Sequence, residues 1–532
     1  KSYSIRSRNY VRYSVEQDNT TGDLLYTPYG EDISLEGYDK KSSQWRNFVL
    51  QAFLNYSRTF GKHGIDAVFM AGYEDNTTSS ASLPFRSIDS GGRLAYNYNK
   101  KYTGEFSFGY SGDDNYSRGN RFGFFPSGAV AWLLSEEEFL KGNEMVDNLK
   151  LRVSYGLTGN KNTGSRRFPY IQNYTGQNYY LGTTNASIWY LLENYLADKN
   201  ATWEKAKKAN IGFDASFLNN ALSVSFDYFQ ENRYDILTIP YDAIPSYWGF
   251  SLSDLNIGKV DNKGFEAVVR YNAPLSKNSS YFIEASAWYA KNKITYNAEA
   301  PQLYDYQYRT GLSIGTPFML EAAGFYNESD FNADGSLKDG LPVPVFETVR
   351  PGDLKYKNQN QDNVIDNNDL VPVGYSTLPE LTLALRAGAT CKNFDVEMLF
   401  QGAVNRTVYW GGNYFHAFQN DGQISTVALG RWTPETASTA TYPRLSANNN
   451  MNNYQPSSFW QKNGNFLKLR NMEIGYSLPN RLPARLNIEK VRMFLNVANL
   501  FSLDYMEGFT DPEALTGYPA IRVFSAGLSI QF

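Results

Sequence analysis

The chain has 532 residues, and its 50 basic and 54 acidic side chains leave a net charge of −4. This balance argues against nucleic acid as the main partner, because phosphate binding requires a basic face. Only two histidines (His63 and His416) and one cysteine (Cys391) are present, so disulfide frameworks, zinc fingers and Cys/His catalytic pairs are nearly excluded by count alone.

Alternation of apolar and polar residues is the dominant pattern along the chain. A period of two predicts β-strands, whose successive side chains point to opposite faces. Strands or hairpins are predicted, in chain order, at 48–73, 94–110, 149–158, 211–228 around Asn219-Asn220, 381–402 and 521–532. Roughly 14 to 17 strands are expected, each near the ~10 residues of a membrane-spanning β-strand. No run approaches 18 apolar residues, which excludes transmembrane helices.

The connections between the predicted strands are asymmetric. Short turns alternate with long segments at about 159–202, 232–257, 292–379, 403–464 and 502–520. Short turns on one rim and long loops on the other are typical of outer-membrane barrels, whereas a soluble sandwich or propeller would have shorter strands and more evenly spaced turns. We therefore predict an all-β chain that forms a transmembrane antiparallel β-barrel, with short periplasmic turns and with 292–379 and 403–464 as long extracellular loops.

A series of short motifs resembles one family of outer-membrane proteins. The motifs are Phe125-Pro126-Ser127 with Ala131-Trp132, Asp147-Asn148-Leu149-Lys150-Leu151-Arg152-Val153-Ser154-Tyr155-Gly156, Trp203-Glu204-Lys205, Asn210-Ile211-Gly212-Phe213-Asp214, Asn262-Lys263-Gly264-Phe265-Glu266, Arg350-Pro351-Gly352-Asp353, Tyr442-Pro443-Arg444, Leu467-Lys468-Leu469-Arg470-Asn471, Gly475-Tyr476-Ser477-Leu478-Pro479, Asn499-Leu500-Phe501 and Asp511-Pro512-Glu513. In this order they resemble the C-terminal barrel portion of SusC/RagA-type TonB-dependent transporters of Bacteroidetes outer membranes. The match spans most of residues 90–532.

The resemblance implies an integral outer-membrane barrel of about 22 strands, closed by an N-terminal plug. Residues 1–532 are therefore expected to form the C-terminal part of such a barrel, with the plug, the TonB-contacting segment and the first strands absent from this chain. An independent pore of about 16 strands is the structural alternative.

The same resemblance implies active, TonB-driven import of oligosaccharides or oligopeptides across the outer membrane. Its expected partners are a SusD-like surface lipoprotein that acts as a lid, TonB through the missing plug region, and a second transporter–lid pair in a dimer. The alternatives are a passive porin and a β-rich surface glycan-binding protein or glycosidase. We predict no enzymatic activity, no catalytic residues and no organic cofactor.

Residues 358–369 have the spacing of an EF-hand-type calcium loop. Side-chain oxygens are available at positions 1, 3, 5, 9 and 12, and a backbone carbonyl at position 7. The predicted ligands are Asn358, Asn360, Asp362, Val364, Asp366 and Asp369. Three carboxylates with a short last ligand predict weak Ca²⁺ binding that would stiffen a long loop. The alternative is a calcium-free cluster of Asn/Asp turns.

Aromatic residues are frequent in the predicted long loops. Flat rings can stack on sugars or hold peptide side chains, and they can equally pack one loop against another. The candidates for substrate contact are Trp189, Tyr190, Trp248, Tyr306, Trp410, Tyr414 and His416.

The last predicted strand ends on an aromatic residue. Leu528, Ile530 and Phe532 share one face of the strand, and this pattern resembles the signal that barrel-assembly machinery reads. The alternative is an ordinary lipid-facing last strand.

Overall fold

The computed structural model describes residues 2–5, 11–17, 24–30, 38–41, 44–78, 83–161, 167–183, 186–240, 251–419, 422–447, 450–479, 488–514 and 517–532. In these ranges no helix is long and apolar enough to cross a membrane.

Fifteen long strands of the described chain form one antiparallel sheet, in which the hydrogen-bonded neighbours of each strand are the strands before and after it. This number lies within the 14 to 17 predicted from alternation. The strands are β1 (Trp45–Phe60), β2 (His63–Thr78), β3 (Phe85–Tyr98), β4 (Tyr102–Asp113), β5 (Phe122–Leu133), β6 (Val146–Asn160), β7 (Glu204–Phe217), β8 (Leu222–Thr238), β9 (Leu255–Ser276), β10 (Ser279–Tyr296), β11 (Leu381–Cys391), β12 (Phe394–Val404), β13 (Phe466–Ser477), β14 (Lys490–Asp504) and β15 (Val523–Gln531).

The register separates an apolar face of the sheet from a charged one. Between β10 and β11, Ala285 lies opposite Leu385, while the preceding Glu284 lies opposite Arg386. Because successive side chains alternate, the charged pair lies on the other face from the apolar pair. Further cross-strand ion pairs, such as Arg152 with Asp214 at 2.8 Å, also lie on the charged face. The sheet therefore has the two-sided patterning expected of a barrel wall with lipid on one side.

Short turns join most of the strands at one rim, as the sequence predicts, and the connections 134–145 and 478–489 are longer. Asn219 and Asn220 connect β7 to β8 with φ of 56° and 61°, and Asn99 and Lys100 connect β3 to β4 with φ of 53° and 59°. Asparagine tolerates this left-handed conformation, which the right-handed twist of a hairpin favours.

Most strands are longer than the expected ~10 residues. They range from 9 residues in β15 to 22 in β9. The extra length shortens one predicted loop, because β8 continues to Thr238 and β9 begins at Leu255. About 10 tilted residues cross the apolar core of a bilayer, so the additional residues extend the sheet beyond it.

Short elements fill the remaining described chain. A hairpin that alternation did not reveal, Asn173–Leu181 with Ala186–Leu196, lies between β6 and β7. The other short strands are Ser2–Ile5, Arg12–Gln17, Leu24–Tyr29, Tyr38–Lys41, Ser251–Leu252, Phe318–Met319, Ala322–Phe325, Val343–Pro344, Leu354–Tyr356, Val364–Ile365, Val371–Pro372, Thr407–Tyr409 and Gln461–Asn463, and the 3-10 helices are Leu134–Glu136, Asp305–Gln307, Glu328–Asp330, Asn367–Asp369 and Thr426–Gly430.

Candidate functional site in the long loops

The main hydrophobic core of the described chain lies in the loops and not in the sheet. It joins the connection between β10 and β11 (297–380) to the connection between β12 and β13 (405–465). We call it the loop core, and its buried members are Leu320, Leu354, Tyr356, Ile365, Trp410, Phe415, Ala417, Ala428, Tyr442 and Trp460. The two longest connections thus pack into one unit instead of extending separately into solvent.

A buried carboxylate holds the two connections together. Asp353 is 1% exposed, and its Oδ1 accepts hydrogen bonds from Asn450 Nδ2 at 2.9 Å and Asn453 Nδ2 at 2.8 Å. Arg444 Nε lies 2.8 Å from the same oxygen, and the backbone N–H of Arg350 donates to Oδ2 at 2.7 Å. A buried charge of this kind is stable only when it is paired and hydrogen-bonded.

Two of the motifs that suggested the family meet at this carboxylate. Gly352 has φ +88°, and a Cβ at this position would overlap the ring of Trp432. Glycine is therefore required both by the left-handed backbone and by the close approach of the ring. Next to Arg444, Tyr442 donates from its hydroxyl to the carbonyl of Phe415 at 2.8 Å. The sequence alone shows both motifs, 350–353 and 442–444, but does not show that they touch, because about ninety residues separate them.

A second buried cluster ties the connection between β14 and β15 (505–522) to the sheet. Lys468 of β13 has a side chain only 3% exposed, and its Nζ lies 2.6 Å from Asp511 Oδ1 and 2.8 Å from Glu513 Oε2. Arg470 also pairs with Glu513. Burial alone would raise the pKa of Asp511, but the hydrogen bonds from Lys468 and from the Glu513 N–H hold it below its usual value of 3.8. We call these four residues the Lys468 cluster.

Two of the seven predicted substrate-contacting residues are buried. Trp410 and His416 are each 4% exposed. Trp410 stacks on Phe415 with ring centroids 4.7 Å apart, and His416 stacks on Tyr454 at 4.5 Å. Burial lowers the pKa of His416, so its ring is held neutral. These contacts favour a packing role for both rings within the loop core.

The other predicted substrate-contacting residues are more accessible or lie elsewhere. Trp189 is 64% exposed on the 173–196 hairpin, where Tyr190 donates to Gln177 Oε1 at 3.2 Å. Tyr414 is 46% exposed, and Tyr306 is half-buried with its hydroxyl 2.7 Å from the carbonyl of Asn368. Trp248 lies outside the described residues. Among the described residues, Trp189, Tyr190, Tyr306 and Tyr414 make no ring contact with one another. Contact of all these residues with substrate stays a prediction.

The 358–369 segment folds as a series of turns closed by its own side chains. Asn358 Oδ1 accepts from the Gln361 N–H at 2.9 Å, and Asp362 Oδ1 accepts from the Val364 N–H at 2.8 Å. Asp369 is fully buried. The amide of Asn360 donates to Asp362 at 2.8 Å, and the backbone N–H groups of Gln359 and Asp366 donate to the two carboxylate oxygens of Asp369. Among the described residues no group of three or more His, Cys, Asp or Glu side chains converges on a common point. Calcium binding here stays a prediction.

Leu528 and Ile530 lie on the apolar face of the sheet, near the end of β15. In the register of β14 with β15, Leu528 lies opposite Met493 and Ile530 opposite Val491, whereas Ser529 lies opposite the charged Arg492. Phe532 is 82% exposed. The role of Leu528, Ile530 and Phe532 as an assembly signal stays a prediction.

Comparison with known proteins relates both the sheet and the loops to outer-membrane receptors. The chain is 24% identical over 546 residues to TonB-dependent receptor P3 of Formosa agariphila, a match that covers 91% of the chain and 52% of the receptor. It is 26% identical over 456 residues to TonB-dependent receptor SusC of Bacteroides thetaiotaomicron, covering 83% of the chain and 43% of SusC. Among solved structures, the RagAB peptide transporter superposes with a TM-score of 0.70 at 21% identity, over 92% of the chain and 56% of the solved chain.

In sequence and fold the chain is similar to SusC/RagA-type TonB-dependent transporters. It spans about half the length of the curated relatives that it matches. No protein-family model matches the chain. The predicted resemblance, the antiparallel β-barrel class and the location in the outer membrane are confirmed. Asp353 and Lys468 belong to motifs that the sequence analysis identified, but their roles in holding the long loops are visible only in the structure.

Proposed function

We propose that this chain is the barrel portion of an importer that moves oligosaccharides or oligopeptides across the outer membrane with energy supplied through TonB. The observation that carries the proposal is the similarity over 83% or more of the chain to TonB-dependent receptors, together with the fold shared with the RagAB peptide transporter. These relatives are transporters and receptors, which favours transport over enzymatic cleavage.

The loop core supports a role in ligand and partner handling. A barrel needs only short loops to span a membrane, yet here two connections form a packed unit on one rim with its own buried charge network. We propose that this unit presents a fixed surface to a SusD-like lipoprotein lid and to the substrate. Rigid loops on a rigid scaffold are a common way to position binding residues.

The test uses the full-length protein in its native host. Deletion of its gene is expected to abolish uptake of labelled oligosaccharides or oligopeptides, and disruption of TonB is expected to give the same loss. Mild-detergent purification should recover a surface lipoprotein with the transporter, identified by mass spectrometry. Uptake that continues without TonB would instead indicate a passive pore and overturn the proposal.

A further inference from the structure

A polar pocket opens at the rim where β10 ends. It has a volume of about 440 Å³, within the range of small-molecule sites. Four carboxamides, one guanidinium, one carboxylate and three apolar residues line it. They are Asn297, Gln302, Gln307, Asn367, Arg309, Glu299, Ala300, Phe318 and Leu370.

The loop that forms this pocket is closed at its neck. The N–H of Gly311 donates to the carbonyl of Ile294 at 2.8 Å, and the N–H of Ile294 donates to the carbonyl of Leu312 at 2.8 Å. Ser313 Oγ adds a hydrogen bond to the carbonyl of Asn292 at 2.8 Å. Residues 297–310 therefore form a loop that follows β10 and is closed by hydrogen bonds at its base, so the pocket is largely formed before any ligand arrives.

Arg309 is the cation of the pocket. Its guanidinium lies over the ring of Phe318, with Cζ 4.5 Å from the ring centroid, and the side chain is exposed. Within the described residues its guanidinium has no hydrogen-bond or ion-pair partner. Stacking uses the flat face of a guanidinium and leaves the N–H groups at its edge free for a planar carboxylate.

The carboxylate of the pocket is already engaged by its own loop. Glu299 Oε2 accepts from the Arg309 N–H at 2.8 Å, and Oε1 accepts from the N–H and the hydroxyl of Thr310 at 2.8 and 2.9 Å. Glu299 thus shapes the turn, and Arg309 keeps its full set of side-chain donors.

We propose that this pocket binds a hexuronate residue of an acidic oligosaccharide, with Arg309 as the residue that selects for the carboxylate. The inference deepens the proposed import function and rests on it. The carboxamides each offer a donor and an acceptor, which suits sugar hydroxyls, and Phe318, Leu370 and Ala300 offer apolar contact to the ring. A neutral sugar would leave the guanidinium without a charged partner.

The experiment measures binding to the purified full-length transporter by titration calorimetry. The probes are trigalacturonate, its methyl ester and triglutamate. The wild-type protein is expected to bind trigalacturonate at least about tenfold more tightly than the ester, since a charge-assisted bidentate pair is lost in the ester. Arg309→Gln should remove this preference, and Arg309→Lys should restore part of it.

Arg118→Gln is the matched control, because Arg118 is an exposed arginine on the same rim. This variant should keep the preference of the wild type. Equal affinity for acid and ester, no binding of trigalacturonate, or tighter binding of triglutamate would each overturn the hexuronate assignment. Uptake in cells is measured separately. If the wild-type protein shows no preference for the acid while uptake still depends on TonB, only this inference is refuted. Uptake that does not depend on TonB refutes the proposed function.

Discussion

The Lys468 cluster offers a sharp test of how the last long connection is held. Replacing Lys468 by Met removes the ammonium from two contacts of 2.6 and 2.8 Å while keeping an unbranched chain of similar length. Loss of one partner from a buried ion pair costs about 3 to 5 kcal/mol. The lower end applies here, because Glu513 is 35% exposed and keeps its pair with Arg470. About 3 kcal/mol corresponds to an increase of about 150-fold in local opening.

Hydrogen exchange on the full-length protein measures this opening. The reporter is the Phe509 amide, which donates to the carbonyl of Met506 at 2.9 Å within the tethered connection. Its exchange is expected to accelerate in Lys468→Met while amides of the sheet stay protected. Adding Asp511→Asn to that variant should recover part of the protection, because the buried carboxylate is neutralised while Glu513 keeps its pair with Arg470.

The exposed pair of Lys141 and Glu136, 3.9 Å apart, supplies the control. Lys141→Met is expected to leave exchange unchanged, since exposed pairs contribute little. Unchanged exchange at Phe509 in Lys468→Met would show that the cluster does not hold the connection, and would refute the reasoning.

Four further outcomes are expected. Gly352→Ala should destabilise the loop core, because its backbone is left-handed and the site has no room for a Cβ; faster trypsin cleavage of the loops would show this, and unchanged cleavage would contradict it. Acidification below about pH 4 should loosen the 505–522 connection, because the lowered pKa values of the carboxylates in the Lys468 cluster contribute stability that is lost as they protonate. A protection factor of the Phe509 amide, corrected for intrinsic exchange, that is constant from pH 6 to 3 would argue against it. Leu528→Arg should cost roughly 2 to 4 kcal/mol in a refolding assay if the residue lies near mid-membrane, and Ser529→Arg much less; equal effects would mean that the faces are assigned wrongly. Chelation of Ca²⁺ should lower the melting temperature if the 358–369 segment binds the ion, and an unchanged melting curve would remove that site.

Local patterns were sufficient to predict the sheet. Alternation marks β6 and β15, and the asparagine pair at 219–220 marks a turn, because both signals depend on neighbouring residues alone. Sequence alternation does not indicate the hairpin at 173–196, because its first strand mixes Asn, Thr, Gly and Gln with adjacent tyrosines and shows no regular period. Its pairing is visible only in the folded chain.

The loop core could not be predicted in the same way. Charged residues are ordinarily exposed, yet Asp353 in a loop and Lys468 in β13 are buried. Their partners lie 43 to 100 positions away along the chain, so local sequence does not reveal the pairing. The rings of Trp410 and His416 illustrate the same limit. The sequence does not distinguish an aromatic residue that stacks on a sugar from one that packs against a neighbouring loop. Only the folded structure shows which of the two roles the ring has.

The neighbour-to-neighbour order of the sheet has a consequence for the way the protein folds. Each strand needs only the adjacent hairpin to form its hydrogen bonds, so the wall can grow by local closures from either end. The contacts of Asp353 cannot form so early, because they wait until β11 and β12 have carried the chain down and back across the membrane. Formation of the Asp353 contacts is thus expected only after β11 and β12 have joined the sheet.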